Sequence, residues 1–264
     1  MSAEHNVVAV TVISTIDGCP EEIFFIPSAR QNDPVLVKLH TWSCNKNDEI
    51  ANIHELHDLT GWNIIAPEFR GPNLVGNPRA KQACASKLAK QDILDAVHTI
   101  MKQYALTSQQ IFLFGGSGGG HMALMMAAYA PTFWTAIAAW CPVTDLNDKG
   151  IWAQCTDIGR DHAAFHEHVL ACCGRNARAR SPISHIDEIA RATVYLFHGN
   201  KDISVPFLAH SETFYHTLIR KHPSAEVYLQ IFNGGHEIHN AETLAVFKRY
   251  LPIEDNSTLE NLSG

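Results

Sequence analysis

The chain has 264 residues, 46% hydrophobic and 18% charged, with a net charge of −7 at pH 7. That apolar content supports a substantial core, and the length suits one α/β domain over residues 1–264. The acidic balance, with no clustered run of lysine and arginine, argues against nucleic acid as a partner, because phosphate binding depends on such clusters.

No stretch reaches the length of a membrane span, so no membrane partner is expected. Met1 to Val7 lacks the basic start and continuous apolar run of a signal peptide, which points to a cytoplasmic protein. Seven cysteines, an odd number, suit reduced thiols better than a disulfide framework. Asn256-Ser257-Thr258 and Asn261-Leu262-Ser263 match the glycosylation triplet, which has meaning only in a secretory compartment and is taken as chance.

In chain order, the β-branched run Val7 to Val12 and the run Glu21 to Ile26 flank turn chemistry at Asp17-Gly18-Cys19-Pro20 and predict an opening hairpin. Val35 to His40 is the next strand and leads into the polar loop Thr41-Trp42-Ser43-Cys44-Asn45. A helix over about Asp48 to Leu59 precedes the buried-strand pattern Trp62 to Ala66, which Pro67 closes. After the loop Glu68 to Ala85, Ser86 is the N-cap of a helix carrying Ile93, Val97, Ile100, Met101 and Tyr104 at helical spacing.

Ile111 to Phe114 is an apolar run that breaks into Gly115-Gly116-Ser117-Gly118-Gly119-Gly120 and resumes as the helical run His121 to Ala128. Gly115-x-Ser117-x-Gly119 fits a nucleophile elbow, in which a serine occupies a strained strand-to-helix turn beside the free N–H groups of the helix. No lysine follows these glycines, as a phosphate loop requires. The motif also lies too far into the chain for a dinucleotide fingerprint. No cofactor is expected.

Phe133 to Trp140 is a further strand, residues 143–190 read as an irregular insertion over the sheet, and Thr193 to His198 restores a clean strand. Pro206 to Lys221 predicts a helix, Glu226 to Phe232 a strand and Ile238 to Tyr250 a last helix before a polar tail over residues 252–264. Alternation of this kind calls for a mostly parallel sheet of about eight strands with helices on both faces. Active residues then collect in loops at the carboxyl ends of strands. Asp202 follows the next-to-last strand and His236 the last, so Ser117, Asp202 and His236 stand in the order nucleophile, acid, base. A serine needs a base to take its proton, and the base needs a carboxylate to fix its tautomer. Asp145, after the strand ending at Trp140, is the reserve acid.

Gly115-Gly116-Ser117-Gly118-Gly119-Gly120-His121-Met122-Ala123-Leu124, His198-Gly199-Asn200-Lys201-Asp202 and Gly234-Gly235-His236 together resemble the catalytic domain of the prolyl oligopeptidase family, within the α/β-hydrolase fold. The resemblance runs from about Val35 to Tyr250 and extends to single-domain esterases and polyester-depolymerase-like enzymes. It implies an oxyanion hole of two backbone N–H groups, on Gly118 and in the loop after His40. Relatives usually carry His-Gly there, so Thr41 is a departure, and Trp42 takes the second donor position, where it also contacts the acyl group. The function implied is ester hydrolysis through an acyl-enzyme. Ester cleavage is favoured over peptide cleavage because the chain is too short to include the propeller that filters peptides in prolyl oligopeptidases. A small peptidase or amidase and a non-catalytic ligand-binding protein on the same fold are the alternatives.

Trp152 is a candidate for the substrate entrance. His162, His166 and His168 with Glu167, Cys172 and Cys173 have metal-ligand chemistry, but no H-E-x-x-H or paired C-x-x-C organises them, and histidine is frequent, sixteen in all. No metal is expected. Arg175, Arg178 and Arg180 read as a solvated face, and His121 as a packing or hydrogen-bonding residue without a catalytic role.

Overall fold

A computed structural model describes residues 6–147 and 162–252. Its centre is a sheet of eight strands. These are β1 Val8–Ile13, β2 Pro20–Ile26, β3 Val35–Leu39, β4 Asn63–Pro67, β5 Ile111–Gly116, β6 Ala136–Trp140, β7 Val194–Gly199 and β8 Val227–Phe232. They lie side by side in the order β1-β2-β4-β3-β5-β6-β7-β8. β2 is antiparallel to both its neighbours, β1 and β4, and the strands from β4 through β3 and β5 to β8 are parallel. This is the α/β-hydrolase arrangement that the alternation of strands and helices called for. The strand expected from Phe133 is shorter, beginning at Ala136.

The helices divide between the two faces because the strand residues do. On one face Val35, Val37, Leu39 and Leu113 pack against α2 Lys87–Gln103, α3 Gly118–Tyr129 and α6 Thr213–Lys221. On the other, Leu36, Phe112 and Phe114 pack against α1 Ile50–Thr60 and α7 Asn240–Phe247. The central strands β3 and β4 are buried along their whole length, which is why they read as continuous apolar runs rather than alternating ones. Ser86 caps α2 as its side-chain chemistry predicts, accepting from the Ala89 N–H at 3.1 Å. Within the expected insertion, α4 His162–Cys173, short 3-10 turns and α5 Ile186–Ile189 return the chain to β7.

Arg70 is the largest charged group in the interior, fully buried, with a positive φ of 78°. Its guanidinium donates to Asp92 at 2.5 and 3.1 Å, to Asp17 at 2.8 and 2.9 Å, to Gln82 at 3.0 Å and to Ser14 at 3.1 Å. It therefore ties the loop after β4 to the β1–β2 turn and to α2. The same loop reaches the segment after β3, because Glu68 accepts from the Lys46 N–H at 3.0 Å and Asn73 donates its N–H to the Trp42 carbonyl at 2.7 Å.

A buried guanidinium offsets its desolvation through these bonds, and removing it leaves its carboxylate partners uncompensated. Arg70→Met is expected to lower unfolding free energy by about 3–5 kcal/mol in urea titration. A loss below about 1 kcal/mol, the range of an exposed pair, would show the network to be dispensable.

Candidate active site

The elbow forms where β5 runs into α3. Ser117 sits between them with φ 54° and ψ −119°, a left-handed conformation that a non-glycine residue adopts only under constraint. Two backbone bonds hold it there: its N–H donates to the Trp140 carbonyl at 2.8 Å, and its carbonyl accepts from the His121 N–H at 2.9 Å. A Cβ on Gly115 would lie 2.3 Å from the Gly119 carbonyl oxygen, so strand and helix cross at a distance only glycine permits.

Asp202 follows β7 and His236 follows β8. Asp202 Oδ2 accepts from His236 Nδ1 at 2.7 Å, and the acid side chain is fully buried while the histidine keeps 27% of its side-chain exposure. That contact puts the ring proton on Nδ1 and leaves Nε2 as a base. The other carboxylate oxygen, Oδ1, accepts from the backbone N–H groups of Ser204 at 2.9 Å and Val205 at 2.8 Å. His198, buried on β7, places Nε2 3.2 Å from Asp202 Oδ2 and is anchored through Nδ1 by Ser211 Oγ at 2.7 Å. Burial opposes ionisation of Asp202, but the hydrogen bonds from His198, His236 and the Val205 N–H outweigh it and hold the carboxyl well below the usual carboxylate range.

The acid and histidine loops are zipped together by backbone bonds, Asn200 N–H to the Phe232 carbonyl and Lys201 N–H to the Gly234 carbonyl, both 2.9 Å. Gly199 makes this possible, since a Cβ there would lie 2.2 Å from the Gly235 carbonyl oxygen. Asp145, the reserve acid, is turned elsewhere, its Oδ1 accepting from the Asn147 N–H at 2.8 Å.

Trp42 lies against the elbow. A Cβ on Gly118 would lie 2.6 Å from the Trp42 backbone nitrogen and 2.4 Å from indole Cγ, so the two backbone nitrogens expected to face an oxyanion are neighbours. The indole itself is only 8% exposed and meets His121 edge-on, with ring centroids 5.1 Å apart, and Phe165 of α4 at 6.4 Å. Beside Thr41 a cavity of about 130 Å³ is walled by Gly116, Ile238, Asn52 and the buried ion pair Lys38–Glu49, 2.9 Å long. Trp152 lies outside the described residues, as do the side chains of His162 and His166. His168 and Cys172 contact each other at 3.5 Å.

Arg175 and Arg178 are exposed as expected, but Arg180 is only partly so. Its guanidinium donates to the carbonyls of Ala83 at 3.0 Å and Cys84 at 3.3 Å, pinning the segment after α4 to the loop before α2. Two residues not among the expected site residues, His198 and Cys141, also stand beside the acid. His198 opens the His-Gly-Asn-Lys-Asp run that carries part of the family resemblance, and only the folded chain shows it against Asp202. Cys141 follows β6 at a positive φ of 43°, and its sulfur lies within 4.8 Å of ligand atoms of Asp202 and His236. Burial, reinforced by the Asp202 charge, pushes the Cys141 thiol well up, so it stays protonated beside the acid.

Residues 60–251 match the model of the prolyl oligopeptidase family. The acylamino-acid-releasing enzyme of Arabidopsis thaliana is 26% identical over 268 residues, covering 92% of this chain and 34% of the plant protein. Among solved structures, the acylaminoacyl peptidase of Pyrococcus horikoshii superposes with a TM-score of 0.63 at 21% identity, over 93% of this chain and 40% of that one. An esterase of Pyrococcus furiosus gives 0.69 at 16% identity, over 94% and 92%. The chain thus spans about a third of the length of the curated relative from Arabidopsis.

His121 follows the elbow glycines fully buried, Nε2 donating to the Arg180 carbonyl at 2.7 Å. Burial pushes it down to about 4, with the nearby Arg180 and Lys90 charges adding to the effect against that hydrogen bond. The folded state keeps His121 neutral, whereas the unfolded chain takes up its proton below about pH 6.5. Acidification therefore favours unfolding: the His121 contribution is fully present above about pH 6.5 and falls by about 3 kcal/mol toward pH 4. Denaturation midpoints measured across this window should decline less steeply in His121→Gln than in wild type; parallel profiles would contradict the assignment.

Proposed function

Because the chain belongs to the prolyl oligopeptidase family and is a serine hydrolase of that family, we propose that it cleaves carboxylic esters through an acyl-enzyme formed on Ser117. The observation that carries this reading is the 2.7 Å contact between His236 Nδ1 and the buried Asp202 carboxylate, at the carboxyl ends of the strands beside the elbow. With Nδ1 bound to Asp202, His236 Nε2 takes the Ser117 proton as Oγ attacks the carbonyl carbon, and Asp202 stabilises the imidazolium that results. The tetrahedral oxyanion is held by the N–H groups of Gly118 and Trp42. His236 then gives its proton to the leaving alcohol, water enters, and the same steps in reverse order release the acid and free Ser117.

A second reading differs only in the leaving group. The likeness to the Arabidopsis acylamino-acid-releasing enzyme favours release of an acylated amino acid from a short peptide, with an amine in place of the alcohol. Proton delivery by His236 becomes more demanding there, because an amine leaves a tetrahedral intermediate only when protonated.

A panel of p-nitrophenyl esters from acetyl to long chain, with N-acetylaminoacyl p-nitroanilides beside them, tests both readings on wild type and Ser117→Ala. Wild-type turnover of short esters is expected, with kcat reduced about 10⁶-fold in Ser117→Ala. Turnover confined to the anilides would select the peptidase reading. Turnover of neither class, or turnover retained in Ser117→Ala, would overturn the proposal and direct attention to ligand binding without chemistry.

A further inference from the structure

Gly118 donates its N–H to Thr41 Oγ1 at 3.0 Å. This is the N–H assigned to the oxyanion, so the hydroxyl oxygen occupies the position an oxyanion approaches. We infer that Thr41 is a catalytic residue, its hydroxyl forming a third donor of the oxyanion hole. The inference rests on the acyl-enzyme reading and adds a residue to it.

The hydroxyl has both the geometry and the unused proton for this task. A threonine hydroxyl has one proton to give and two lone pairs to accept with. Towards Gly118 it acts as acceptor, which leaves the O–H directed away from the peptide nitrogen and available to a second acceptor. A productive oxyanion sits about 2.7–3.1 Å from its backbone donor. Two oxygens that approach one N–H from the same side, each about 3 Å from the nitrogen, fall within hydrogen-bond reach of each other. As negative charge develops, the Gly118 N–H is shared with or passed to the oxyanion, and the Thr41 O–H donates to it in a charge-assisted bond. No proton leaves Thr41 and no bond to it forms. Its role is confined to the tetrahedral state.

The position of the hydroxyl is fixed from both sides. The Thr41 carbonyl accepts from the Cys44 N–H at 3.1 Å and lies 2.9 Å from His40 Nδ1, whose ring stacks on Phe69 at 3.9 Å. Threonine is β-branched, so few χ1 settings are open to it once the backbone is held. The adjacent residue is Trp42, whose backbone nitrogen lies beside Gly118, so the chain delivers a side-chain and a main-chain donor from consecutive positions. A glycine at 41 would supply the second of these and not the first.

The test compares wild type with Thr41→Val, which keeps the branched shape and loses the hydroxyl, and Thr41→Ser, which keeps the hydroxyl and loses the methyl. Each is assayed on the best short-chain ester, and each is titrated with a trifluoromethyl ketone, which forms a hemiketal oxyanion with the active serine. Thr41→Val is expected to lower kcat by about 10²–10³-fold with little change in KM, and to weaken the ketone by a similar factor. Thr41→Ser should stay within about tenfold of wild type on both readouts. Equal losses in the two variants would make Thr41 a packing residue. Undiminished or increased activity in Thr41→Val would make the hydroxyl a plug that the substrate must displace. Either result overturns the inference while leaving the acyl-enzyme reading intact, whereas a wild type that turns over neither esters nor anilides removes both.

Discussion

A carboxylate with no exposed surface stands at the end of β7, and the geometry around it follows from the need to keep it charged there. Taking Asp202 out of water is costly unless its oxygens are met by donors. Oδ1 is satisfied by the turn that follows it, through the Ser204 and Val205 N–H groups, and Oδ2 lies against two imidazoles, bonded by His236 Nδ1 at 2.7 Å and 3.2 Å from His198 Nε2, which itself meets the Val205 carbonyl at 2.8 Å. One of these, His198, comes from inside the sheet and is buried. The other, His236, is drawn in from the loop after β8 and keeps a solvent-facing edge. Gly199 lets the two loops touch, and without that approach the second imidazole would not reach the acid. The demand for charge compensation at Asp202 thereby fixes the tautomer and direction of His236, the two properties a general base needs.

The opposite wall of the site depends on steric constraint more than on charge. Ser117 is held in a left-handed conformation by β6 and by the first turn of α3, and a glycine on each side of it allows the tight crossing. The loop carrying Thr41 and Trp42 has no regular structure of its own. Its position derives from the segment after β4, through Glu68 and Asn73, and that segment is in turn tied down by Arg70. A buried guanidinium thus supports, through the segment after β4, the backbone expected to hold an oxyanion.

Much of this was legible in the residues. The strand runs at Val35, Ile111 and Val194, the elbow glycines around Ser117, and the placement of Asp202 and His236 after successive strands are local signals that tertiary structure preserves. Ser86 caps its helix for the same reason, because the bond it makes is to a residue three positions away. What escaped were contacts between segments distant in sequence. Arg180 in an arginine-rich stretch reads as solvated until the carbonyls of Ala83 and Cys84 are brought beneath it. His198 looks like a strand terminus until Asp202 folds back over it. Thr41 yields to Trp42 in the sequence because the family resemblance places the second donor there, and nothing in the sequence shows a side-chain hydroxyl within hydrogen-bond reach of the Gly118 N–H, 77 residues away.

The most direct test of the central claim, that Asp202 and His236 activate Ser117, is labelling with a fluorophosphonate followed by intact-mass and peptide-mass analysis. Attack on phosphorus expels fluoride and leaves a stable phosphonyl ester, so the label reports the nucleophile without any assumption about ester or peptide substrates. Wild type is expected to take up one equivalent on Ser117, with the labelling rate reduced by about 10⁴-fold in Asp202→Asn, where the histidine loses its charged partner and its tautomer. Label on another residue, no label, or an Asp202→Asn rate equal to wild type would contradict the arrangement of these three groups as one catalytic unit.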